Sequence, residues 1–179
     1  MFTGTVVFDG GALRLADAPG ATARIYGHGN ARQWAWLHAD LGGGDVLEIV
    51  AAVSTRPLLD RLPPLVFLRL VKDGRVWPRR AERSALGWAG LGRFRAHLGE
   101  RGWSVRGRCG ERRIRVDVAL PPDRTLALDY TDPDGSPAVC RNSEAADARV
   151  RLQRWQDGGW YDEGTWCLTG TAHTELGSR

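Results

Sequence analysis

Within the fifteen residues from Tyr26 to Asp40 the chain places two tryptophans, two of its four histidines and an asparagine. From Gln33 onward Trp34, Trp36 and His38 recur with a period of two, which puts them on one face of a strand, opposite Ala35, Leu37 and Ala39. Indoles at that spacing offer broad apolar surface and a π face that attracts cations, and His38 supplies a polar edge. A second kind of chemistry rests on Glu48, which shares a strand face with Val46, Val50 and Ala52. Facing inward, it is a carboxyl among apolar neighbours and so a candidate proton donor, because burial disfavours the charged form. Facing outward, it is an ordinary surface acid. The residues alone leave both alternatives open.

Most of the rest of the chain alternates in the same way, with turn signals about every ten residues, the pattern of an antiparallel barrel or sandwich. The expected strands include Thr3 to Phe8, Val46 to Val53, Leu65 to Val71, Arg93 to Leu98, Trp103 to Arg108, Arg113 to Val118, Leu126 to Tyr130 and Thr165 to Leu176. Asp9-Gly10, Asp73-Gly74 and Asp157-Gly158 are hairpin turns by their residue types. Gly27-His28-Gly29-Asn30 is a glycine-rich turn leading into the tryptophan strand. Pro57, Pro63 and Pro64 exclude a central strand between Ser54 and Pro64, which reads as a loop or a single helical turn laid over one end of the fold. Arg79 to Ala89 is a short helix or a loop. No stretch carries a three-turn amphipathic stripe. The expected architecture is all-β, a lipocalin-like barrel or sandwich of about ten strands forming one domain over residues 1–179. A barrel of that size can enclose one small apolar ligand.

Composition narrows the function classes. The 179 residues suffice for a sizeable core. No apolar run is long enough to span a membrane as a helix, and the N-terminus lacks the pattern of a signal peptide, so a cytoplasmic location is expected. Three cysteines without metal or disulfide spacing point to neither zinc nor a disulfide framework. His28 and His38 lack an obvious third ligand, so no metal or other cofactor is expected. Phosphate-binding loops, the dinucleotide fingerprint and the nucleophile elbow are missing. The net charge is +4, and twelve arginines between Arg75 and Arg115 face only Glu82, Glu100 and Glu111. Such a strip could meet an acidic partner or an anionic surface, but a solvated exterior is the simpler account, and nucleic acid is not an expected partner.

Tyr26-x-x-x-Asn30 followed by Trp34-x-Trp36, with Gly4-Thr-Val-Val-Phe-Asp-Gly10 before it, resembles the start of the second half of the tocopherol cyclase and hydroxyneurosporene synthase (carotenoid hydratase) family. Gly170-Thr-Ala-His-Thr-Glu-Leu-Gly177 is similar to the family's closing strand. His28 stands where relatives carry an acid, and Ala31 where they carry a tryptophan. The resemblance implies the C-terminal one of two lipocalin-like barrels, leaving room for a second barrel or a second copy as partner. It also implies an isoprenoid or lipid-like ligand contacted by Tyr26, Asn30, Trp34, Trp36 and His38. The alternative it implies is an enzyme that protonates an isoprenoid double bond for cyclisation or hydration. Glu48, or His28 as imidazolium, would then donate the proton, the tryptophans would stabilise the cation, and Asn30 would orient the polar end.

Overall fold

The structure, a computed structural model, describes residues 1–18, 20, 29–80 and 93–179. It is all-β among those residues, with twelve strands and two short 3₁₀ turns, Leu59–Arg61 and Pro122–Arg124. β1 (Phe2–Phe8) and β2 (Gly11–Ala18) form a two-stranded sheet of their own. The other ten strands form one antiparallel sheet: β3 (Ala31–Gly42), β4 (Asp45–Ser54), β5 (Leu65–Lys72), β6 (Arg75–Trp77), β7 (Phe94–Leu98), β8 (Gly102–Cys109), β9 (Arg112–Ala119), β10 (Leu126–Thr131), β11 (Pro137–Gln156) and β12 (Gly159–Ser178). Their order is β6-β5-β4-β3-β12-β11-β9-β8-β7, with β10 added to the early part of β11.

The sheet coils but does not close: among the described residues no ladder joins β5 or β6 to β7. At one end of this seam the edges meet through side chains. The Trp77 and Phe94 rings lie edge to face with centroids 5.7 Å apart, and Trp77 Nε1 donates to the Cys109 carbonyl at 3.2 Å. The core lies on the inner face of the coil. Leu37, Leu47, Ile49, Leu68 and Leu70 from β3 to β5 pack with Val105, Val116, Val150 and Leu152 from the other half, all essentially inaccessible to solvent. Each buried aliphatic side chain of this size contributes about 1.5–3 kcal/mol relative to exposure, so an acidic substitution at Leu37 would break the fold.

Turn chemistry explains the hairpins. Asp9-Gly10, Asp73-Gly74 and Asp157-Gly158 all have positive φ at both residues, the type I′ geometry whose twist matches paired strands. Two strands are longer than the alternation predicts. Ala138 to Arg141 and Arg149 to Trp155 are expected as separate strands but belong to the single twenty-residue β11, and the expected Trp160–Tyr161 and Thr165–Leu176 strands are both parts of β12. Bulges carry the chain through the breaks in period. At one of them Gly170 adopts φ +66°, and its N–H donates to Asp147 Oδ1 at 2.8 Å.

Candidate functional site

β3 is apolar on both faces, and the fold settles which face is which. Ala35, Leu37 and Ala39 are buried in the core, whereas Trp34, Trp36 and His38 are half-buried on the outer face. The motif tryptophans therefore do not line the barrel interior, as a Trp-lined barrel would require of them. Three glycines lie beneath aromatic rings in this sheet: Gly177 under Trp34, Gly164 under Trp166 and Gly107 against Phe94. Lacking a Cβ, they let the rings lie flat on the backbone.

Strand register assembles a cluster around Trp36 from five adjacent strands. His38 opposes His173 of β12 on one side and Glu48 of β4 on the other, and Glu48 opposes Arg69 of β5. His38 Nδ1 lies 3.7 Å from Glu48 Oε1, and Arg69 donates to Glu48 Oε2 at 2.9 Å. Glu48 is 41% exposed in its side chain, so the outward alternative is the one the fold adopts: an ion-paired surface acid. The Trp36 indole meets the His173 ring edge to face at 4.5 Å and stacks near His38 at 6.4 Å. His173 Nε2 is in turn 2.9 Å from Glu144 Oε1, and Asn142 Nδ2 lies 3.5 Å from the same nitrogen and donates to Glu175 Oε1 at 3.4 Å. Two imidazoles, each with a carboxylate neighbour, thus flank one indole.

The backbone beneath is tied to the core. Thr174 is fully buried; its hydroxyl donates to the Trp36 carbonyl at 2.6 Å and accepts from Trp103 Nε1 at 3.0 Å. Nearby, burial above all, with help from Glu175, pushes the Cys140 thiol up to about 11, so it is a packed neutral group rather than a nucleophile.

Of the sequence-predicted site residues, Trp36, His38 and Glu48 come together, and Trp34 lies next along the same strand face over Gly177. Asn30 does not join them. It is exposed, just before β3, where its carbonyl accepts from the Thr55 N–H at 3.3 Å. Six residues of strand at ~3.3 Å each separate it from Trp36 by about 20 Å. Tyr26 and His28 lie outside the described residues, as does most of the Arg79 to Ala89 segment. His173, Asn142, Glu144 and Arg69 were not expected, because only cross-strand register brings them in. Among the described residues no group of three or more His, Cys, Asp and Glu side chains is arranged to hold a metal ion.

A second feature is a cleft of about 590 Å³ along the open seam, with Phe94 of the Trp77 contact in its lining. One wall is Leu62, Pro63, Pro64 and Leu65; the other is built from Phe94, Ala96 and Val105, with Arg95, His97, Ser104, Arg106 and the Arg115–Asp117 pair at its polar side. Its volume falls in the range, on the order of 300–1,000 Å³, of small-molecule sites. Leu65 is in register with Ala52, which is in register with Trp34, so the cleft wall continues into the aromatic face two strands away. The loop expected between Ser54 and Pro64 supplies most of this wall.

Several arginines of the basic strip are already engaged. Arg115 pairs with Asp117, Arg112 with Glu163, and Arg108 and Arg113 lie over the Trp160 ring at 5.0 and 4.3 Å from its centroid.

The sequence matches the tocopherol cyclase-like family over residues 1–178, and the chain belongs to that family. It is 44% identical over its full 179 residues to "Uncharacterized protein MT0513" of Mycobacterium tuberculosis strain CDC 1551 / Oshkosh and, at the same identity, to "Uncharacterized protein Rv0493c" of strain H37Rv. The chain spans half the length of each of these relatives. No helix among the described residues is long and apolar enough to cross a membrane.

Proposed function

We propose that this chain binds an apolar, isoprenoid or lipid-like small molecule at the open seam of its sheet. The observation that carries the reading is the cleft of about 590 Å³ with an apolar wall on each side; membership of the tocopherol cyclase-like family supports the isoprenoid class. We further propose that it works as one lipocalin-like unit beside a second one, for which relatives of twice its length leave room. The test is a farnesol titration followed by intrinsic tryptophan fluorescence. Saturable quenching is expected, weakened about tenfold or more by Ala96→Leu, which narrows the cleft. No saturable response, or an unchanged response in Ala96→Leu, would refute the cleft as the site.

A second reading, proton-transfer catalysis on a bound isoprenoid, is favoured by the two imidazoles flanking Trp36. An imidazolium there could protonate a double bond, and the indole face would stabilise the resulting cation. Its measure is deuterium incorporation from heavy water into the ligand, lost in His173→Gln and Glu48→Gln with affinity nearly unchanged, since a proton donor acts mainly on the transition state. Binding without incorporation would leave a carrier.

A further inference from the structure

The polar side of the seam cleft carries more positive charge than its own acids neutralise. Arg95 of β7 and Arg106 of β8 oppose each other directly across the ladder, and both line the cleft. Both are exposed, and among the described residues neither has an ion-pair or hydrogen-bond partner. Arg106 also opposes Arg115 of β9, whose guanidinium is taken by Asp117 through contacts of 2.8 and 3.3 Å. Like charges facing one another across strands repel, and an anion between Arg95 and Arg106 would relieve that repulsion. Beside them, His97 and Ser104 also oppose each other and line the same cleft, adding hydrogen-bonding groups. The opposite wall, Leu62 to Leu65, offers only apolar side chains and prolines.

From this polarity we infer that the cleft takes an acidic amphiphile: an apolar chain against Leu62 to Leu65, and a carboxylate or phosphate head held by Arg95 and Arg106. This rests on the cleft reading above and adds the head group. Guanidinium is suited to both anions because its N–H groups match two oxygens at once.

The test uses four ligands in two pairs, palmitate with hexadecanol and farnesyl monophosphate with farnesol, titrated against the full chain by calorimetry. Each acid should bind about ten- to a hundredfold tighter than its alcohol, the range for hydrogen bonds to a charged group. That advantage should shrink with added salt and vanish in an Arg95→Gln/Arg106→Gln variant, in which each acid binds no tighter than its alcohol. Whichever acid gains more over its alcohol identifies the head group. Equal affinity of acid and alcohol, or an advantage that survives in the double variant, overturns the inference while leaving apolar binding intact. Binding of none of the four would instead remove the cleft reading beneath it. Because both arginines are exposed, circular dichroism of the variant should match the parent and separate loss of binding from loss of fold.

Discussion

Replacing Thr174 by valine tests whether the aromatic face is anchored from the core. Valine keeps the shape and the methyl group but removes a hydroxyl that does two jobs, donating to the Trp36 carbonyl and accepting from Trp103 Nε1. Thr174 is fully buried and Trp103 is 3% exposed, so water cannot replace the lost partner of the indole N–H. Leaving a buried donor unsatisfied costs about 1–3 kcal/mol. At ~2–4 °C per kcal/mol for a domain of this size, the melting temperature should fall by roughly 2–12 °C. Thr174→Ser is the control: it keeps the hydroxyl and loses one methyl, for about 0.8 kcal/mol. In a Trp103→Phe background, where no indole N–H awaits a partner, the same valine substitution should cost less, and the difference measures the coupling. Thermal and urea unfolding followed by circular dichroism would read all three. A Thr174→Val protein within about 0.5 kcal/mol of wild type, and no smaller effect in the Trp103→Phe background, would refute the anchoring argument.

Gly177→Ala would place a Cβ inside the Trp34 ring, so the indole must swing toward solvent; a red shift of tryptophan emission is expected, with a loss of about 1–3 kcal/mol from overpacking. Asp147 gives a pH signature. Its carboxyl is held below its ordinary value of 3.8, first by the Gly170 N–H and then by Arg124. A depressed acid contributes stability that is present above the ordinary value and lost as pH falls through the lower folded one. The wild-type advantage over Asp147→Asn should therefore be constant near neutrality and decline only as the pH drops below about 4 in acid titration of unfolding. An advantage that instead grows on acidification would contradict the assignment.

The all-β class and most strand positions were legible because one-sided burial enforces a period of two, and because three Asp-Gly pairs fix their hairpins. Ile114, Val116 and Val118 illustrate this: they alternate with Arg113, Arg115 and Asp117 in the sequence and are buried in β9. The facing of β3 was not legible, since Ala-Leu-Ala and Trp-x-Trp are both apolar and periodicity cannot rank two apolar faces. Packing can: a coiled sheet with facing walls filled by Leu37, Ile49, Val116 and Val150 suits small residues inward at Ala35 and Ala39. The same ambiguity covered Glu48, whose apolar neighbours on its own face turned out to be outer-face residues. His173 and Asn142 were invisible for another reason. They reach Trp36 only through the register of β11 with β12 and of β12 with β3, which no local pattern encodes.

The outer face of the sheet is chemically divided, and the seam is where its two halves meet. Across β3 to β5 it presents Trp34, Trp36, Val50, Ala52, Leu65 and Phe67; across β7 to β9 and β11 it presents Arg95, Arg106, Arg115 and Arg151 in a single cross-strand row. In a fully closed barrel these halves would be joined by a β5–β7 ladder, with edge groups paired and no cleft between them. Unpaired edges are a liability, and here they are managed unequally. Trp77 and Phe94 zip part of the seam with buried aromatic contact, while beside them Leu62 to Leu65 and Ala96 and Val105 line an open cleft. The seam is thus held shut where Trp77 meets the Phe94 ring and the Cys109 carbonyl, and left open where an apolar wall faces the guanidiniums of Arg95 and Arg106, which have no partner among the described residues. That asymmetry matches the polarity of the amphiphile proposed for the cleft.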